Sequence, residues 1–143
     1  MKKFEEFIQE GTIKKQSPNK SRALSIVKEV EEKKAFLELS LKSISKDKMN
    51  SNFVVDYCYD ILMEITRAKM FLDGYNAGNS HQAEVSYLKF LGFSEAEITF
   101  MDELRYYRNG MKYYGTRLEK DYAEKVLNFM NYKYPKLKAL IKI

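Results

Sequence analysis

Hydrophobic residues recur at intervals of three and four along most of this chain, and those intervals predict helices. From Ser21 to Ile44 the apolar row is Leu24, Val27, Val30, Leu37, Leu41 and Ile44, with Lys34 standing inside it. The next segment is the most regular: Val54, Cys58, Ile61, Ile65, Ala68 and Leu72 alternate steps of four and three. Such a seam suits left-handed packing in a helical bundle. Ser51 or Asn52 is predicted to cap that helix, and "DGYNAGNS" ends it, Gly74 and Gly78 permitting the chain reversal.

A shorter helix is predicted from about Ser80 to Leu91, with Val85, Leu88 and Leu91 inward and Gly92 closing it. Ser94 and Glu97 then spell a capping box at the head of "FSEAEITFMDELRYYRNGMKYYG". After a break at "GT", a last helix from about Arg117 carries the stripe Tyr122, Val126, Phe129 and Met130. Pro135 is expected to interrupt it and leave "KLKALIKI" as a basic tail. No window alternates with the period of a strand. The expected fold is therefore all-α, an up-and-down four-helix bundle with one extra short helix. It is read as a single domain over residues 1–143, with its core at about 21–130 and a basic tail at 131–143.

Composition narrows the chemistry. Cys58 is the single cysteine and His81 the single histidine, so no disulfide and no multi-imidazole site forms within one chain. Neither a metal nor a cofactor is expected. The opening "MKKFEEFIQEG" is acidic where a signal peptide is apolar, and no run is long enough to span a membrane, so a cytoplasmic protein is expected. The net charge of +5 favours anionic partners mildly, because much of it is lysine interleaved with glutamate.

The segment "LRYYRNGMKYYG" stands out. Met101, Leu104, Arg108 and Met111 step three, four, three, so Arg108 falls in line with core residues. A guanidinium there is costly unless it is paired or faces a cleft. Arg105, Asn109 and Lys112 lie beside it as donors for phosphate, and Tyr106, Tyr107, Tyr113 and Tyr114 surround them as platforms for bases. The competing reading pairs Arg108 with a carboxylate such as Asp102 or Glu64 and leaves the tyrosines covering the core edge.

With Gly74–Tyr75, Ser80–His81, Leu104–Arg105, Arg108–Asn109 and Tyr113–Gly115 in this order, the chain resembles the HEPN family of small helical-bundle proteins. The resemblance runs from about Ser21 to Met130 and is sharpest in the fourth helix. It implies a homodimer in which two motifs face each other. Many members look like metal-independent ribonucleases built on an arginine, a polar residue and, a few positions on, a histidine. Others partner small nucleotidyltransferases in toxin–antitoxin pairs, or bind nucleotides. Arg108 and Asn109 match the first half of the motif, but Tyr113 stands at the histidine position. A phenol with pKa about 10 is ionised roughly once in a thousand molecules at pH 7, which makes it a poor base.

The function expected is thus binding of RNA or a nucleotide phosphate, with weak or lost ribonuclease activity. Catalytic candidates are Arg108, Asn109 and Tyr113; phosphate and base contacts would come from Arg105, Lys112, Tyr106 and Tyr114. The alternative is a non-catalytic partner subunit for a nucleotidyltransferase. A homodimer is expected on the face of Phe71, Tyr75, Phe100, Tyr107, Met111 and Tyr114, an excess of large residues for one small bundle. His81 reads as a capping or packing residue, with catalysis or metal binding as the lesser use. Asp56, Asp60 and Glu64 read as a solvated face or as carboxylates for a bundle arginine, with a cation site the less favoured use. Cys58 reads as an inert core residue, and Lys133, Lys136, Lys138 and Lys142 as a solubilising end.

Overall fold

A computed structural model describes residues 1–142. The chain is an all-α helical bundle with a two-stranded ribbon at one corner. Its elements are α1 (Phe4–Gln9), β1 (Lys14–Lys15), α2 (Lys20–Ser43), α3 (Ser51–Asp73), β2 (Tyr75–Asn76), α4 (His81–Ser86), α5 (Glu95–Tyr114) and α6 (Lys120–Ala139). A 3-10 turn at Lys46–Lys48 precedes α3, and another at Tyr87–Leu91 extends α4.

The central element is α3. Its predicted seam is buried except for Leu72, which is half-buried, and Val55, Tyr59, Leu62, Met63, Thr66, Met70 and Phe71 are buried as well. A helix apolar on nearly all sides belongs inside its neighbours. Here α2 and α6 pack along it, and α4 and α5 close the remaining sides. Thr66 is tolerated there because its hydroxyl donates to the Leu62 carbonyl at 2.7 Å. The cap of α3 is Asn50, one residue before the predicted pair, its side chain accepting from the Phe53 amide. Asn52 has a longer-range task. Its amide donates to the Thr116 carbonyl and its oxygen accepts from the Leu118 amide, both at 2.8 Å, which ties the segment before α6 to the start of α3.

On α2 the buried stripe runs Ala23, Val27, Val30 and Leu37, so Leu24 and Ile44, predicted inward, are exposed instead. Lys34 does sit in the row and lays its ammonium 5.4 Å from the Tyr134 ring while pairing with Glu38. The capping box of α5 is present, Ser94 and Glu97 exchanging bonds of 2.9 and 3.2 Å.

The last helix departs from expectation at both ends. It begins at Lys120 and passes through Pro135 without interruption. The carbonyl deprived of its amide partner there belongs to Asn131, which is exposed and can be hydrated. Residues 131–139 are accordingly a packed helix and not a loose basic tail. Tyr134 and Leu137 are buried, and Lys133, 5% exposed, pairs with Glu97 at 2.7 Å.

The N-terminal residues are also tied in. Gln16 donates to the Gly74 carbonyl at 2.9 Å, next to the β1–β2 pairing. Gly74 has φ 85°, and a Cβ there would lie 2.6 Å from the Gln16 carbonyl oxygen, so this turn requires glycine. Phe4, Phe7 and Ile13 then form a second cluster with Met70, Ala77, Ala83 and Tyr87.

Candidate nucleic-acid interface

Position 108 faces α3, as its place in the core row requires. Arg108 donates from Nε to Asp56 at 2.9 Å, its Nη2 lies 3.3 Å from Asp60, and its guanidinium sits 5.4 Å from the Tyr59 ring centre. Its side chain is 18% exposed. The carboxylates are Asp56 and Asp60, one turn apart on α3; Asp102 and Glu64 are engaged elsewhere. Asp102 accepts from Arg105 at 2.9 Å, and Glu64 accepts from Lys33 at 2.7 Å. Lys112, half-exposed, has its ammonium 3.8 Å from Asp56.

The three cations of the α5 ridge therefore face three aspartates, and their charges cancel locally. Burial raises the Asp60 carboxyl above its ordinary range, with Arg108 opposing that shift. Asn109 is exposed beside the ridge.

Arg108 and Tyr113 are not brought together within one chain. Both lie on the unbroken helix α5, where positions five apart point about 140° away from each other. Tyr113 is 75% exposed and Tyr114 84%, with Tyr106 at 71% about two turns before them. Tyr107 turns the other way and packs edge-on against Tyr122, ring centres 5.2 Å apart.

Much of the face expected to need a second copy is covered by the chain itself. Phe71 is buried under the Arg22 guanidinium at 4.3 Å, Tyr75 meets Phe4 at 5.1 Å, and Phe100 meets Phe129 at 4.7 Å. Among the proposed face residues only Tyr114 is fully open.

His81 opens α4 behind Ser80, whose hydroxyl caps the helix. Its ring lies 5.9 Å from that of Tyr59, and its Nδ1 is 3.3 Å from Glu84, a buried carboxylate that accepts from Arg67 through two nitrogens. The ring sits between α3 and α4 with its side chain 38% exposed, and neither its Nδ1 nor the Tyr59 hydroxyl has a hydrogen-bond partner among the described residues. Cys58 is buried, and its thiol is pushed up to about 12 by that burial, which keeps it inert. No group of three histidine, cysteine or carboxylate side chains suited to a metal occurs among the described residues. None of the described helices is long and apolar enough to cross a membrane.

Sequence reading did not flag the surface just beyond the tyrosines. Residues 48–52 and 115–120 meet there around a cavity, bringing Lys48, Arg117 and Lys120 together. The signal was a lysine-rich loop and a "GTRLEK" stretch sixty-odd residues apart, which the Asn52 clamp and the Lys120–Asp47 bond join. Compared with family models, with curated proteins and with solved structures, the chain matches none.

Proposed function

We propose that this chain is a HEPN-like, non-cleaving RNA-binding protein that stacks single-stranded bases on the exposed tyrosines at the end of α5. The observation that carries the reading is the solvent exposure of Tyr106, Tyr113 and Tyr114 on one helix. Isolated exposed aromatics are ordinary, but three phenols on one short stretch provide flat, sequence-tolerant platforms for bases. The basic net charge of the chain favours a polyanion, and Lys112 can swing from its loose contact with Asp56 toward a passing phosphate.

Cleavage is left out for chemical reasons. Arg108 is engaged by Asp56 and Asp60, and Tyr113 points about 140° away from it. Transition-state stabilisation needs a cation free to meet developing charge near a base of suitable pKa. Arg108 is not free in that sense, and Tyr113 does not face it.

Fluorescence anisotropy with a labelled single-stranded RNA of about ten nucleotides tests the reading. Binding should weaken as salt rises, and the RNA should stay intact. Tyr113→Ala combined with Tyr114→Ala should lower affinity by about tenfold or more, since a stacked base contributes about 1–3 kcal/mol. Binding indifferent to these changes, or no binding at low salt, would leave the partner-subunit reading in its place.

A further inference from the structure

Where α5 ends, the residues leading into α3 and α6 line an open cavity of about 540 Å³, within the size range of small-ligand sites. Met49, Met111 and Leu118 give it apolar walls, while Lys48, Arg117 and Lys120 supply cations. No carboxylate lines it, in contrast to the α5 ridge, where every cation faces an aspartate. Neither Lys48 nor Arg117 has an ion-pair partner among the described residues, while Lys120 donates to the Asp47 carbonyl at 3.4 Å and helps hold the Asp47 carboxyl below its ordinary range. The walls are held in place by the two Asn52 bonds to residues 116 and 118.

We infer that this cavity holds a nucleotide by its phosphate monoester, so that the protein prefers RNA with a phosphorylated end. A monoester carries about −1.5 to −2 charges against the single charge of an internal diester, and so draws more from Lys48 and Arg117, which lack ion-pair partners, and from Lys120, which shares its charge with nearby Asp47. The apolar walls suit the faces of a sugar and base, as in small-molecule sites generally. Gly115 lines the cavity directly after Tyr114, so a terminal nucleotide seated here leaves the strand beside the tyrosines. The end preference rests on the RNA reading above, whereas occupancy by a free nucleotide does not.

The test compares one single-stranded RNA in three forms: 5′-phosphorylated, 3′-phosphorylated, and with hydroxyls at both ends. AMP serves as the free monoester probe. Wild type should bind one phosphorylated form about tenfold tighter than the hydroxyl form, the scale of an added charge-assisted contact, and which end it is fixes the polarity of the strand. In Arg117→Gln/Lys120→Gln that preference and AMP binding should vanish, while the hydroxyl form stays within about threefold. Lys48→Gln is the second variant if the double change lowers the unfolding midpoint.

Equal affinity for all three RNAs, or a preference that survives both variants, would overturn the inference and leave the RNA reading standing. Binding of AMP, lost in the variants, with no binding of any RNA would sink the RNA reading and keep the cavity. Failure of AMP and every RNA alike would remove both.

Discussion

Arg108 carries its charge in the row where Met101 and Leu104 are buried, and Asp56 and Asp60 make that position tolerable. Replacing it with methionine keeps the stem but strands Asp60 and leaves Asp56 only its loose contact with Lys112. Because the groups are a fifth to a third exposed, the loss should be about 2 kcal/mol, below that of a fully buried pair. The pH dependence identifies the cause. Asp60 is already raised by burial, so its ionised form disfavours the fold at neutral pH, and that penalty fades as pH falls through the folded pKa. Removing Arg108 takes away the opposing charge and raises Asp60 further. Urea unfolding of Arg108→Met should therefore show a deficit at neutral pH that shrinks as pH falls through the raised folded pKa of Asp60. A deficit independent of pH would mean that the aspartates are not what Arg108 answers. Lys133 supplies the converse case. Lys133→Met should stay within about 1 kcal/mol of wild type, since its site is already apolar, with the Phe93 ring 4.4 Å away. Glu97→Ala should cost about 3 kcal/mol, because it strands the buried ammonium and also breaks the α5 capping box.

Among the elements, the segment between α5 and α6 takes two of its hydrogen bonds from a single side chain of a distant helix. Asn52→Ala removes both bonds to residues 116–118 and should cost about 1–2 kcal/mol. Hydrogen exchange gives the sharper measure: the Leu118 amide should lose protection while amides in the middle of α3 keep theirs. Unchanged exchange at Leu118 would show that the segment is held by other contacts. Sequence reading located the helices because their caps and seams are local: Ser94 with Glu97, Gly92, and the four-three steps of α3. It misjudged what depends on neighbours. Pro135 looked like a stop, yet it lies on a hydrated face where the missing amide matters little. Asn52 looked like a cap because its residue type suits one, while Asn50 does the capping. The Arg108 partners were legible only as a class, since any of several carboxylates sat at helical spacing; which one lies across the interface depends on how α3 and α5 are rotated.

At the scale of the whole molecule, α3 is wrapped by its neighbours and the α5 ridge is neutralised by α3, so the unspent chemistry gathers at one end of α5. There the exposed tyrosines adjoin a cavity where Lys48 and Arg117 have no ion-pair partner among the described residues. No sequence pattern announces this, because the contributing loops are joined only by folding. RNA binding at that end, without cleavage, is tested most directly by ultraviolet cross-linking to a single-stranded RNA, followed by mass-spectrometric mapping. Cross-links should fall on the α5 segment at Tyr106, Tyr113 or Tyr114, with the RNA recovered at full length. Cross-links confined to other helices, or RNA recovered in shortened form, would contradict the account.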